Sequence, residues 1–501
     1  MGARLSPVRE AVPLLEGLTL LNRGKVRDTY DLSGDKLLIV TTDAISIFDF
    51  TLNALVPQKG LILNALTHFW LKLLHQYGIG THLVAAGQEV DYCLPEGLRG
   101  NSDLLARSMV VQRITMQPVE FVARAYLTGS GLKSYRDSGT VCGHSLPKGL
   151  QDGDRLHYIL DTPTTKAEVG HDEHLNAEEI RGGYPAATYL LIKAFQIASH
   201  HAEKSGIILA DTKLEFGWGS HESVILGDEV FTPDSSRFWS YADWLDSRKK
   251  DPRKAPTSLD KQLVRIWGLT QKINELDPAN PEHLAQVHRL TVPPELINAT
   301  TQTYRYIFWR LTGQTLENYL KDCLGVCLDK PRKKVAIIFG SQTDLKDEIT
   351  YIIRDARVRY VQSGELGDIN VHVISCHRHP AELRRFIQED KCRGADVIIA
   401  AGGKALALPG IIKASLNEAK LNIPVVGVAL GELNTKALTA AQLSIDELPG
   451  QPVVTDEINQ RVYTSPEGLR SAIARTVYGE FPPPKPPVDK PAEFDVNIDK
   501  L

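Results

Sequence analysis

Long apolar runs, a disulfide or zinc pattern of cysteines and blocks of one charge are all missing from this 501-residue chain. Its first residues, MGARLSPVREAVPLLEG, include acids and no uninterrupted apolar core, so neither a secretion signal nor a membrane segment is expected there. The six cysteines, Cys93, Cys142, Cys323, Cys327, Cys376 and Cys392, are scattered, and reduced core thiols are the simplest account. Cys323 and Cys327 stand four apart in a predicted helix, half a metal site without a second pair of ligands. A formal charge of -4, a pI near 6.4 and the absence of a long basic block give no reason to expect nucleic acid as partner. Small anionic ligands remain open, and a soluble, cytoplasmic enzyme is the expectation.

At this length two to four domains are the prior. Up to about Ser240, strand runs such as KLLIVTT and SMVVQRI mix with helices such as LILNALTHFWLKLLHQYG and AATYLLIKAFQIASHHAEKSG. This resembles an α+β nucleotide-binding body. From Tyr241 to Val326 the pattern turns helical, and the basic run RKKDPRK reads as a solvated loop. A boundary is expected near LDKPR, Leu328 to Arg332. Beyond it, VAIIFG, INVHVIS, ADVIIAAG and PVVGVAL alternate with helical stretches, the grammar of βαβ units on a buried parallel sheet. The expected division is therefore 1–328, 329–480 and a proline-rich tail, 481–501. The second domain reads as an α/β three-layer domain whose ligands bind beyond the carboxyl ends of the strands.

Charge is densest where the pattern is most strand-like. In IILADTKLEFGWGSHESVILGDEVFTPDSSRFW, Ile207 to Trp239, strand alternation puts Asp211, Lys213 and Glu215 on one face and Thr212, Leu214 and Phe216 on the other. Gly217 to Ser220 reads as the turn, and a return strand from Ser223 to Leu226 would bring Asp228 and Glu229 back near the start of the first strand. Carboxylates beside a lysine suit a magnesium ion carrying nucleotide phosphates, because hard cations prefer oxygen ligands. A solvated hairpin face of alternating charge is the bland alternative. The TPDSSR that follows, with small hydroxyls beside Arg237, suits phosphate or carboxylate and favours the functional reading.

Other segments are less specific by themselves. In NRGKVRDTYDL, Gly24, Lys25 and Arg27 occupy or flank a hairpin bend where backbone and cationic groups can cover phosphates, although no Walker A pattern is present. Asp43 and Ser46 read as a helix cap. Within QRITMQPVEFVARAYLTGSG, Arg113, Glu120, Arg124 and Ser130 lie close to a glycine-bounded turn, and Arg124 with Ser130 suits a phosphate monoester. DTPTTKAEVGHDE sets Lys166, Glu168 and Asp172 in a loop, with a capped helix start as the alternative.

Taken in order, GKVRD, TDAIS, VEFVARAYLTGSG, TPTTKAE, ADTKLEFG, GDEVFTPDSSRFW and SLDKQLVR closely resemble the SAICAR synthetase family over about Leu20 to Gly313. That resemblance implies ATP-dependent joining of the carboxylate of carboxyaminoimidazole ribonucleotide to the amine of L-aspartate through an acyl phosphate, with ATP and magnesium. It implies Lys25 in an ATP-phosphate hairpin, with Gly24, Arg27 and Lys166 beside the nucleotide. Glu215 and Asp228 fall at the magnesium site, and Arg124, Ser130, Asp211, Lys213, Ser236 and Arg237 around the ribonucleotide, Asp211 and Lys213 as catalytic groups. The rival class is a kinase-like phosphotransferase or nucleotide-binding regulator using the same groups.

Three strand-end loops of the second domain, GSQTD, SCHRHP and AGGKALALPG, resemble the AIR carboxylase or N-carboxy-AIR mutase family from about Lys334 to Gly479. The resemblance implies Ser341, Thr343 and Asp344 at the nucleotide phosphate and ribose, and Ser375 and Arg378 beside His377 as a proton shuttle. It also implies carbon dioxide or bicarbonate as co-substrate and assembly into octamers. The third loop departs from the family pattern, with Lys404 in place of glycine and Ala407 in place of histidine. An enzyme forming carboxyaminoimidazole ribonucleotide and an inactive assembly scaffold are therefore both open for this half.

Overall fold

The computed structural model describes residues 5–32, 34–166, 173–219, 222–328, 332–403, 406–431, 435–448 and 452–483. Lys404, Glu168, Asp172 and the residues of the tail beyond Pro483 lie outside these. The chain divides into two compact units, Met1–Lys330 and Pro331–Leu501.

Among the described residues the first unit holds two main sheets. One is antiparallel, in the order Thr19–Arg23, Arg27–Asp31, Lys36–Thr41, Ser108–Gln112, Leu83–Ala86. The other is built around the long strand Ile207–Trp218, whose flanks take Val119–Leu127 on one side and, in succession, Val224–Gly227 and Ser236–Ser240 on the other. One continuous core joins both sheets to the helices Lys59–Gln76 and Pro185–Lys204 through residues such as Leu38, Leu66, Trp70, Phe195, Leu214 and Phe216. Their apolar positions recur at helical spacing, which is why these helices bury one face on the sheets. The helices Tyr241–Arg248, Gln262–Thr270, Pro281–Arg289, Pro294–Thr312 and Leu316–Leu324 complete the unit.

The second unit is a three-layer α/β fold. Its parallel sheet runs Asp368–Val373, Lys334–Phe339, Val397–Gly402, Val425–Ala429, Tyr463–Thr464. Strand alternation sorts its two cores: Val335, Ile337 and Phe339 pack with Ile349, Ile353, Leu469 and Ile473, while Ala336 and Ile338 pack with Phe386, Ile412 and Ala441. No helix among the described residues is long and apolar enough to cross a membrane.

Several local expectations are corrected. The strand from Ile207 does not turn at Gly217 but continues to Trp218, which pairs with Val224. Helix Leu316–Leu324 ends at Gly325 in the left-handed conformation, so Cys327 is outside it, and both Cys323 and Cys327 are exposed rather than core residues. Asp43 caps no adjacent helix. A short strand, Ala44–Ile47, follows it, while its carboxylate accepts from Gly60 N at the start of the Lys59–Gln76 helix (2.8 Å). The basic run is not simply solvated, because Arg248 donates to Asp154 (2.8 Å) and Arg253 lies 3.1 Å from the same carboxylate.

Candidate functional site

Strand Ile207–Trp218 carries the site because it is central and flanked on both sides. Asp211 is opposite Arg124 on one neighbour and Arg237 on the other, and both guanidiniums converge on its Oδ2, the Arg124 contact at 2.5 Å. Arg124 also donates from Nε to Thr162 Oγ1 and from Nη2 to Ser130 Oγ, each at 3.0 Å. Above these guanidiniums runs Gly129-Ser130-Gly131, the start of helix Gly129–Ser138. Gly129 has φ 57°, and a Cβ there would stand 2.6 Å from Arg237 Nη2; at Gly131 it would meet Arg124 Cδ at 3.3 Å. Glycine at these positions lets a helix N-terminus settle against two cations, a combination of amides and guanidiniums made for a phosphate.

Further along the same face, Lys213 donates to Glu120 Oε1 (2.6 Å), and Lys166 binds Glu215. The register Glu215↔Gly227 places Asp228 directly after the residue opposite Glu215, not near the start of the strand as the hairpin reading expected. Asp228 leaves the strand at φ 53°, a left-handed state that Asp tolerates better than bulky residues. Arg27, first residue of its strand, donates to Asp228 (2.5 and 3.2 Å) and to Glu229 (2.9 Å), which brings the Gly24 bend to the carboxylates. Lys25 instead pairs with Asp49 (2.7 Å). Burial, with Asp228 beside it, pushes the Glu215 carboxyl above its usual range despite Lys166 and Lys213. Burial acts on Asp228 in the same direction, but Arg27, then Lys166 and His82, outweigh it and hold this carboxyl low.

This donor set fits magnesium in one specific way. Two adjacent hard-oxygen carboxylates are present, yet no group of three or more His, Cys, Asp or Glu among the described residues is placed to hold a metal. An ion here would take the rest of its shell from phosphate oxygens and water, the usual arrangement for magnesium.

A cavity of about 230 Å³ opens on this wall, with Glu120, Arg124, Ser130, Asp211, Lys213 and Arg237 among its lining residues. Ser236 also lines it, although its hydroxyl is bonded to Thr212 Oγ1 (2.8 Å), the neighbour opposite it on the alternate face of the strand. On one wall the partners of Asp234 were not anticipated. Asp234, in the TPDSSR loop, binds the fully buried Lys59 (2.7 Å) and accepts from the Tyr304 hydroxyl (2.5 Å). Burial alone would raise the Asp234 carboxyl, but Lys261 and Lys59 together hold it far below the carboxylate range. Asp260, Lys261 and Arg265 line the same cavity. The string SLDKQLVR contains these three, but nothing in its spacing assigned them a role; Lys59 and Tyr304 sit in helices with no local signal of a buried polar contact.

In the second unit the strand-end loops meet. Ser341 Oγ and Thr343 Oγ1 are 2.9 Å apart, and Asp344 lies against the backbone of Gly402 and Gly403, where added Cβ atoms would approach its carboxylate oxygens to 3.6 and 3.3 Å. Ser375 is buried and its hydroxyl accepts from Arg378 N (3.2 Å), while the Arg378 guanidinium reaches Gly340 O (3.2 Å). His377 is exposed, with its Nδ1 3.7 Å from Cys376 Sγ. Ala407 precedes the helix Leu408–Glu418 and offers no side-chain cap.

Comparison with known proteins matches a family model to each half and relatives to the first. A SAICAR synthetase family model matches residues 20–279, and an AIR carboxylase model matches residues 334–466. The phosphoribosylaminoimidazole-succinocarboxamide synthase of Thermobifida fusca is 38% identical over 317 residues, 62% of this chain and 95% of that protein. The protein of the same name from Pelobacter propionicus is 41% identical over 307 residues, 60% of this chain and 96% of its own length. Among solved structures, the Saccharomyces cerevisiae SAICAR synthase complexed with SAICAR aligns with a TM-score of 0.52 at 32% identity, covering 60% of this chain and 97% of that one.

Proposed function

The chain belongs to the SAICAR synthetase family, fused to an AIR carboxylase-family domain, and from that premise we propose how its two units act in purine biosynthesis. The first unit is a ligase that joins L-aspartate to the carboxylate of carboxyaminoimidazole ribonucleotide with ATP as phosphoryl donor. The observation that carries this reading is the face shared by Asp211, Lys213 and Glu215 on one strand, with Arg124, Arg237 and Ser130 gathered at one end and the Glu215 and Asp228 carboxylates at the other.

A carboxylate is a poor electrophile, and phosphorylating it gives an acyl phosphate that an amine attacks. Arg124, Ser130 and Arg237, fixed by Asp211, hold the ribonucleotide phosphate. Lys213, beside Glu120, faces the same cavity and offsets negative charge at the carboxylate being activated. Gly24, Lys25 and Arg27 cover the ATP phosphates from the bend, joined by Lys166 from its place on Glu215. Glu215 and Asp228 would hold magnesium, which when bound supplies positive charge to the transferring phosphoryl group. Arg27 and Lys166 now sit on those carboxylates, so nucleotide binding exchanges their partners from carboxylate to phosphate.

Aspartate-dependent release of ADP is the test, because a kinase or regulator using the same groups would be indifferent to aspartate. Glu215→Gln should abolish that turnover while the thermal unfolding profile stays close to the parent. Near-normal magnesium-dependent activity in the variant would remove Glu215 from the metal site.

For the second unit we infer formation of carboxyaminoimidazole ribonucleotide from aminoimidazole ribonucleotide, with His377 moving the proton of the imidazole carbon. Ser341, Thr343, Asp344, Ser375 and Arg378 hold the nucleotide. The Ala407 departure supports a second reading, a scaffold that assembles the chain without chemistry of its own. The ligase-silenced Glu215→Gln full chain separates them. Supplied with aminoimidazole ribonucleotide plus bicarbonate, or with the N-carboxy compound, it accumulates product from one of them if the unit is an enzyme and from neither if it is a scaffold.

A further inference from the structure

The bend from Gly24 to Arg27 is not held by its own sheet alone. Within the sheet, Gly24 N closes the turn on Arg27 O (2.8 Å) and Thr42 N holds Val26 O (2.8 Å). A further hold comes from Arg9, a fully buried residue on the short helix Pro7–Glu10, whose single guanidinium reaches both flanks of the bend. Its Nη2 donates to Gly24 O (3.1 Å) and to Asp28 Oδ1, and its Nη1 donates to Asp28 Oδ2 (3.2 Å). Arg23 and Asp28 are opposite one another in the register of the two strands, so this guanidinium straddles the hairpin at the base of the bend.

The grip is returned. Arg23, the last residue of strand Thr19–Arg23, donates from Nη2 to Arg9 O (2.8 Å) and Val12 O (2.6 Å). The helix in turn is fastened to strand Phe50–Leu55, where Ser6 Oγ donates to Leu52 O (2.8 Å) and Val8 N to Asn53 Oδ1 (3.2 Å). Phe50 and Leu52 are buried in a core cluster with Val264 and Val287, which makes that strand a fixed point. It starts directly after Asp49, the partner of Lys25 (2.7 Å). The bend is therefore tied to this hairpin by two routes, near its tip through Lys25 and at its base through Arg9.

A buried ion pair contributes little net stability, because desolvation offsets much of its attraction. What a guanidinium adds is geometry, since its donors form a planar fork of fixed spacing that an ammonium does not reproduce. Here the fork fixes Gly24 O relative to the Asp28 carboxylate, and with them the backbone that carries Lys25 and Arg27. We propose that Arg9 is a positioning residue for ATP and that the helix Pro7–Glu10 is a brace for the phosphate bend. Arg9 is buried away from solvent, so it acts through the bend and not on the nucleotide. This rests on the reading of Gly24, Lys25 and Arg27 as the phosphate cover and extends it to a segment outside the hairpin.

The test uses the full chain, with ATP titrated at equilibrium in the presence of magnesium and the KM of each substrate measured below the unfolding transition of every variant. In Arg9→Lys the ammonium keeps Asp28 paired but cannot hold both carboxylate oxygens and Gly24 O together. ATP affinity should weaken and KM for ATP should rise by about 10-fold, the scale of one lost charge-assisted hydrogen bond, with KM for L-aspartate and for the ribonucleotide changed less than about 3-fold. Arg9→Met combined with Asp28→Asn removes both charges together, leaves no unpaired ion between them, and should weaken ATP at least as much; it carries the test if Arg9→Lys unfolds. A purely structural Arg9 would lower the unfolding temperature without this split between substrates. The brace is overturned if either folded variant binds ATP as the parent does, or if the three KM values rise together. Lys25→Met identifies a failure of the underlying reading: ATP affinity would then be unchanged in that variant too, whereas if only the brace is wrong Lys25→Met weakens ATP and the Arg9 variants do not.

Discussion

The two units build their candidate sites in opposite ways. In the first, polar side chains interlock across three neighbouring strands, and the residues proposed to bind substrate also neutralise one another. Asp211 serves two guanidiniums, Arg124 divides itself among Asp211, Thr162 and Ser130, and Asp234 is bound by Lys59 and Tyr304. In the second, chemistry is confined to loops beyond the strand ends, where His377 and Arg378 are exposed and contacts run mainly to backbone. A site made within a sheet is stiff because moving it unpairs buried charge, whereas a site on loops is cheap to alter.

The comparison is broken most severely at Asp211. Asp211→Asn leaves Arg124 and Arg237 sharing no anion, with Arg124 only 6% exposed, and should destabilise the first unit by about 3–5 kcal/mol, the scale for an uncompensated buried charge. Aspartate-dependent ADP release should fall at least about 100-fold, since the phosphate cradle loses its geometry. The matching change in the second unit, Asp344→Asn, should cost less than about 1 kcal/mol, because this carboxylate has no ion pair to break among the described residues. Chemical unfolding of both variants measures the contrast, and equal shifts would show that the loop site is as tightly built as the sheet site.

How much of this was legible follows from the range of the interactions. Strand alternation alone placed Lys213 and Glu215 on one face and buried Leu214 and Phe216 on the other, because that rule is local. The parallel sheet of the second unit was equally readable from its unbroken apolar runs. The partner of Asp228 was not, since register depends on where the turn falls, and two extra strand residues moved Asp228 from the beginning of the strand to the side of Glu215. Lys59, Asp234 and Tyr304 are separated by 70 residues or more in sequence, so no periodicity could have joined them. Asp260, Lys261 and Arg265 lay in a string read only for its resemblance; they reach the cavity wall through the tertiary fold, which their spacing does not encode.

A smaller effect tests whether the rigid packing of the first unit extends beyond its site. His68, on the Lys59–Gln76 helix, is pushed down to about 4 by burial and then by Lys72, and its Nδ1 meets the Tyr319 hydroxyl at 2.9 Å. The fold therefore favours neutral His68, and between about pH 6.5 and 4 the unfolded chain binds the extra proton. This contribution is fully present above pH 6.5 and is lost as pH falls toward 4. His68→Gln retains an acceptor but cannot ionise, so its stability curve should be flatter through that window by about 1–2 kcal/mol, a figure reduced for partial exposure. Taking the difference between parent and variant in pH-dependent unfolding cancels the contribution of the second unit. Parallel curves would mean that His68 can be protonated without disturbing the core.

The smallest structural effect is expected where the second unit's chemistry is proposed. His377 is exposed, and among the described residues its ring makes only the long contact with Cys376 Sγ, so His377→Asn should leave unfolding within about 0.5 kcal/mol of the parent. Ligase turnover with supplied carboxyaminoimidazole ribonucleotide should be unchanged, because that reaction belongs to the other unit. If the second unit is an enzyme, conversion of aminoimidazole ribonucleotide should nevertheless collapse by about 100-fold or more, the contribution of a positioned acid–base group. Loss of chemistry with no loss of stability is the signature of a loop-borne site, and it is the reverse of Asp211, where the two fall together. A substantial loss of stability in His377→Asn would instead make the histidine part of the scaffold and erase the contrast between the two halves of the chain.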